Sequence, residues 1–152
     1  MAIRIAERVG KTGRVFATEL DPKKLATLRG LRSRDAELVV IQGSVADSAL
    51  PAACCDAVYL RRVYHHFTEP GAMNASIFKA LRPGGRLAVI DFEPHTLAHL
   101  REQPAGTPAN RGGHGIPRAV LVAEVAAAGF RPIRTIDPWP GIGYCAVFER
   151  PR

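Results

Sequence analysis

Long apolar runs are what this 152-residue chain most obviously lacks, and none approaches the roughly 18 residues of a membrane-spanning helix. The N-terminus, MAIRIAERVGKTGR, is basic and amphipathic. It has neither an uninterrupted apolar core nor a small-residue cleavage site, so it does not read as a secretory signal, and a cytoplasmic protein is the default expectation. Cysteine is scarce: Cys54, Cys55 and Cys145 form no CxxC pair, which argues against a structural zinc site or a redox couple. Adjacent cysteines seldom bridge each other, so reduced thiols are expected. Internal repeats and low-complexity segments are also missing. The length is that of one domain with a single core.

Acidic residues are outnumbered, 14 against 21 lysines and arginines, for a formal net charge of +7 and a pI near 9.9. Such a balance favours anionic partners. The cations are dispersed from Arg4 to Arg152, however, with only Lys23-Lys24 and Arg61-Arg62 adjacent. No aromatic-interleaved basic stripe accompanies them. The favoured reading is a solvated surface of biased composition, with nucleic acid as the alternative partner.

Periodicity predicts an alternation of helices and strands. Ile3, Ile5, Ala6 and Val9 fall at helical spacing in Ala2–Val9, which Gly10 and Gly13 terminate. RVFATEL (Arg14–Leu20) is a short strand. Asp21-Pro22 then opens a helix over Lys23–Leu31, with Asp21 as cap and Leu25, Leu28 and Leu31 on the buried side. ELVVIQ (Glu37–Gln42) is apolar in the manner of a parallel strand covered on both faces, and DAVYL (Asp56–Leu60) follows after a loop. A helix from Pro70 closes at Pro83-Gly84-Gly85, before the strand RLAVIDF (Arg86–Phe92). A helix from Ile116-Pro117 to Ala128 precedes two final strands, Phe130–Ile136 and Gly143–Glu149. This order implies βαβ units in an α/β fold with a mostly parallel sheet and one antiparallel strand near the C-terminus.

Four segments, in the right order, carry a family resemblance: RVFATELDPKKL (Arg14–Leu25), GSVADSALPAACCDAVYLRRVYHHFTEP (Gly43–Pro70), ALRPGGRLAVIDFEP (Ala80–Pro94) and HGIPRAVLVAEVAAAGF (His114–Phe130). Together they resemble class I, Rossmann-like S-adenosylmethionine-dependent methyltransferases, including those of ubiquinone and menaquinone biosynthesis. The resemblance implies a Rossmann-like three-layer sandwich, S-adenosylmethionine as cofactor and a small-molecule substrate. Glu19 then stands where an acidic residue at a strand end accepts the ribose hydroxyls, with a helix cap as the alternative. Asp47 matches the acid that receives the adenine amino group, against a role in a loop turn. Arg61 falls on the cofactor side as well. Tyr64 and His65 follow the fourth family strand, beside the methyl group, so His65 is the candidate general base and Tyr64 a substrate contact. His66 reads as structural. Arg111 and His114, in the glycine-rich connector, are the other substrate-side candidates. His95 and His99 have the i,i+4 spacing of a metal pair but no third ligand, so no metal site is expected.

The family's first strand and its GxGxG-like loop come before the helix that opens this sequence. Their absence predicts unpaired edges on the second and fourth family strands, open to direct closure or to a further strand such as one from a homodimer partner. It also predicts weakened cofactor binding. Two lost bonds to charged groups, at roughly 1.5–3 kcal/mol each, weaken binding by about 10²- to 10⁴-fold. The competing function is a non-catalytic methyltransferase-like module that binds nucleic acid, protein or a second copy of itself.

Overall fold

The computed structural model describes residues 1–94, 104–141 and 143–152. The helical spacing of His95 and His99 lies outside the described residues. Contacts group the chain into two compact units, Met1–Leu50 and Pro51–Arg152.

The first unit runs α1 (Ala2–Val9), β1 (Arg14–Glu19), α2 (Pro22–Arg29) and β2 (Glu37–Gln42). β1 and β2 are parallel and in register from Arg14 opposite Glu37 to Glu19 opposite Gln42. The α1 stripe is borne out in part: Ala6 is fully buried against Val15 and Ala36, flanked by Ile5 and Leu38, whereas Val9, at the helix end, is exposed. Asp21 caps α2, accepting from the Lys23 backbone N–H at 2.8 Å, with Pro22 at the first helical position, where no N–H is needed. The helix stops at Arg29, two residues short of the predicted end. Leu25 is buried, but Leu31, beyond the last turn, is exposed. β2 is half-buried along its centre within this unit, rather than covered on both faces.

The second unit contains β3 (Cys55–Arg61), a single 3₁₀ turn at Tyr64–His66, α3 (Pro70–Ala80), β4 (Leu81–Asp91), a second 3₁₀ turn at Ala109–Arg111, α4 (Arg118–Ala127), β5 (Arg131–Ile136) and β6 (Tyr144–Glu149). The strand order is β3-β4-β6-β5, with β3 parallel to β4 and β6 antiparallel to both its neighbours. The one antiparallel strand is thus where the sequence puts it. β4 begins earlier than predicted. Leu81, fully buried, pairs with Cys55 directly after α3, and the register shifts before Ala57 meets Arg86. Pro83-Gly84-Gly85 is therefore an irregularity inside a strand, not a helix stop. Gly84 takes φ +80°, and a Cβ on Gly85 would lie 2.8 Å from the Arg82 carbonyl oxygen. The end of α3 is held instead by Arg150, whose Nη1 donates to the carbonyls of Phe78, Lys79 and Leu81, a cation where the helix dipole favours one.

Among the described residues β1 has a ladder only to β2, and β3 only to β4. Cys54 and Cys55 correct an expectation: their sulfurs are joined in a vicinal disulfide, and only Cys145 is free, buried in β6. Ala53, just ahead of β3, has a left-handed φ of 50°. No helix among the described residues is long and apolar enough to cross a membrane.

Candidate functional site

β3 and β4 run parallel and end at the same level, Arg61 opposite Ile90. The crevice beyond such carboxyl ends is where open α/β sheets place their chemistry. The ladder continues one residue further, since Arg62 donates from its backbone N–H to the Ile90 carbonyl at 2.9 Å. Arg62 has a left-handed φ of 54°, a conformation uncommon for a residue with a side chain. It turns the chain off the strand and into the 3₁₀ turn Tyr64–His66, while its guanidinium rests over the Phe92 ring. Arg61, the last residue of β3, is exposed.

Asp91, the last residue of β4, is fully buried. Its Oδ2 accepts from the His65 backbone N–H at 3.2 Å. Its Oδ1 accepts from the His65 ring at Nδ1 at 2.8 Å and from the Phe92 N–H at 3.1 Å. One carboxylate therefore fixes both the turn and the imidazole orientation of its histidine. With a carboxylate facing Nδ1, the proton sits there and Nε2 carries the lone pair. Nε2 is buried and has no hydrogen-bond partner among the described residues. His65 itself is 1% exposed.

The loop before α4 brings a third imidazole to this point. His114 is buried, its ring centroid 4.7 Å from His65 and 5.8 Å from His66, while His65 and His66 are 4.0 Å apart. Gly113 and Gly115 flank it with φ of 121° and 122°. A Cβ on Gly115 would lie 2.9 Å from the Phe92 carbonyl oxygen, the atom that accepts from the Ile116 N–H. Glycine is thus required for the loop to lie against the end of β4. One ligand atom from each of His65, His66 and His114 lies within 4.8 Å of the others. Sequence spacing could not show this, because His114 is 48 residues from His66 along the chain.

Tyr64 and Arg111 belong to an adjacent buried network centred on Glu124 of α4. The Tyr64 hydroxyl donates to Glu124 Oε2 at 3.1 Å and accepts from Asn74 at 2.8 Å. Burial, more than any neighbouring charge, raises its pKa above the ordinary phenol value. Arg111 reaches Glu124 with both terminal nitrogens, at 2.6 and 3.0 Å, and is 1% exposed. The resemblance places both side chains on the substrate side; in the structure both bond Glu124, tying α3, α4 and the two 3₁₀ turns together. A cavity of about 270 Å³ opens beside Arg111 along Pro104, Thr107 and Pro108.

In the first unit, Glu19 ends β1 and the loop after β2 begins level with it, the Gly43 N–H donating to the Glu19 carbonyl at 3.1 Å. Glu19 Oε1 accepts from the backbone N–H groups of Leu20 and Asp21, at 2.8 and 3.0 Å. Asp47, exposed, accepts from the Ala49 N–H at 2.8 Å, in a loop that Ser44 Oγ also braces. Two carboxylates at the carboxyl ends of neighbouring parallel strands suit the hydroxyls and exocyclic amine of a nucleoside.

Asp91, Glu124 and Asn74 escaped the sequence reading. The available signal was an acid closing the apolar run RLAVID, whose importance depends on what β3 delivers beside it.

A sequence-family description, "Methyltransferase domain", matches residues 1–89. The ubiquinone/menaquinone biosynthesis C-methyltransferase UbiE of Chromobacterium violaceum is 34% identical over 90 residues, 57% of this chain and 36% of the relative. The chain thus spans about a third of that relative's length. Solved structures agree at the level of fold. An S-adenosylmethionine-dependent methyltransferase of Methanosarcina mazei gives a TM-score of 0.72 at 11% identity, covering 99% of this chain and 87% of its own. One of Aquifex aeolicus gives 0.64 at 17%, covering 96% and 72%. The [4+2]-cyclase SpnF gives 0.69 at 17%, covering 99% and 71%, so this Rossmann-like fold does not by itself dictate methylation. The chain belongs to the methyltransferase domain family, whose methyl donor is S-adenosylmethionine.

Proposed function

We propose that the protein transfers a methyl group from S-adenosylmethionine to a small-molecule acceptor, with His65 as the general base. The observation that carries this reading is the buried His65–Asp91 pair at the carboxyl ends of two parallel strands. A general base needs a lone pair at the reacting atom and a means of stabilising the cation formed on protonation. Nε2 supplies the first. Asp91, bonded at Nδ1, supplies the second and holds the ring while the proton arrives. The acceptor's hydroxyl, amine or activated carbon gives its proton to Nε2 as its electron pair takes the methyl. When bound, the sulfonium donor supplies an electrophilic methyl carbon and leaves as a neutral thioether.

Glu19 and Asp47 would hold the donor's ribose and adenine, and Arg61 would be a further cofactor contact. Affinity is modest in this reading, because Glu19 Oε1 is already shared between two backbone donors. His114 lines the acceptor side. Tyr64 and Arg111 act as positioning residues, since both side chains are bonded to Glu124. The free edges of β1 and β3 support pairing with a further strand, such as one from a second copy.

Calorimetric titration with S-adenosylmethionine and S-adenosylhomocysteine tests the reading, followed by transfer of labelled methyl to a panel of small acceptors. Binding that Glu19→Ala weakens about 10- to 100-fold, with transfer lost in His65→Ala, supports it. No binding at millimolar donor overturns it.

A further inference from the structure

We propose that His65, His66 and His114 form a three-imidazole site for a divalent first-row transition ion of the zinc class, with the remaining coordination position open to an oxygen ligand. Three observations carry it. The ligand atoms of the three rings lie within 4.8 Å of one another. Zinc–nitrogen bonds of about 2.0–2.1 Å in a tetrahedral site need nitrogens roughly 3.4 Å apart. The site therefore closes by a small ring rotation, and His66 is the most open of the three. The second observation is the buried Nε2 of His65, which has no hydrogen-bond partner among the described residues. A buried polar atom without a partner is costly, and a metal bond would satisfy it.

The third is Asp91. Its bond to Nδ1 favours the tautomer that presents the Nε2 lone pair and fixes the ring's orientation. This carboxylate–histidine arrangement is the usual support of a metal-bound imidazole. Three neutral nitrogen ligands select zinc, cobalt, nickel or copper over magnesium and calcium. Three protein ligands with an open position is the arrangement of catalytic rather than structural zinc.

This site does not rest on methyl transfer, but it meets the base assignment at one atom. An ion on Nε2 takes the lone pair that would accept the acceptor's proton. Methyl transfer by the metal-free protein and metal binding are therefore separate measurements, and either can fail alone.

The test uses the 152-residue chain without any histidine tag, stripped with chelator and titrated with Co²⁺ by absorption and with Zn²⁺ by calorimetry. The expected result is one ion per chain at micromolar affinity or tighter, with a tetrahedral Co²⁺ spectrum free of thiolate charge transfer. His66→Ala should weaken binding at least 100-fold while the far-ultraviolet circular dichroism stays that of the parent. Asp91→Asn should weaken it about 10- to 100-fold. The chain's other histidines, His95 and His99, provide the control, and replacing both by alanine should change nothing. Binding weaker than millimolar, or binding that survives His66→Ala but is lost in the His95/His99 double variant, would overturn the proposal.

Discussion

His65 donates from Nδ1 to Asp91 across 2.8 Å, with side chains only 2% and 0% exposed. The same carboxylate also receives the backbone N–H groups of His65 and Phe92. Asp91→Ala strands two buried donors, each worth about 1–3 kcal/mol, and the half-buried Phe92 N–H. Urea unfolding should show a loss on the order of 3–5 kcal/mol, far above the effect of an exposed substitution. Asp91→Asn, which retains one acceptor, should lose less.

Arg111 and Glu124 form a two-pronged pair with the arginine buried. Removing one partner of such a pair costs about 3–5 kcal/mol, because the other charge stays behind. Arg111→Met should approach that figure. Adding Glu124→Gln keeps an acceptor for Tyr64 while removing the stranded charge, so the double variant should be more stable than Arg111→Met alone. A double-mutant cycle measured by denaturant unfolding checks the coupling.

Glu19 and Asp21 are separable. Asp21→Ala removes the α2 cap and should cost about 1 kcal/mol of stability with donor affinity unchanged. Glu19→Ala should weaken S-adenosylhomocysteine binding about 10- to 100-fold, the equivalent of roughly 1.5–3 kcal/mol of charged hydrogen bonding. Titration calorimetry and thermal unfolding on both variants distinguish the roles. A Glu19→Ala protein that binds like the parent would remove Glu19 from the site.

Tyr144 gives an alkaline prediction. Its hydroxyl donates to the Ile116 carbonyl at 2.8 Å. Burial first, and then the nearby Asp91 and Glu93 carboxylates, raise its pKa above the ordinary value of 10.0. The folded state therefore holds this proton more tightly than the unfolded chain. Its contribution to stability is complete below pH 10 and is lost as pH rises above 10 toward the raised folded value. Tyr144→Phe should be less stable than the parent at pH 7, by about 1–3 kcal/mol for the abandoned carbonyl. It should also lose less stability between pH 9 and 11, as chemical denaturation at each pH would show.

Much of the local structure was legible in the sequence because it depends on neighbours along the chain. The α1 stripe, the Asp21-Pro22 cap, the strand Glu37–Gln42 and the order of elements all follow from periodicity and turn chemistry. Boundaries set by tertiary contacts were not. Leu81 joins β4 because Cys55 is there to pair with it, and Leu31 is exposed because α2 has already ended.

The candidate site divides along the same line. The sequence alone determined the family, through four ordered motifs, and singled out Glu19, Asp47 and His65, each tied to the end of a recognisable strand. Only the tertiary structure decided what those and the other residues face. It set Asp91 against His65, committed Arg111 and Tyr64 to Glu124, and carried His114 to the His65–His66 pair. The physical reason is that a strand end fixes where a side chain begins, whereas its partners arrive from segments dozens of residues away, brought there by packing that no local pattern encodes.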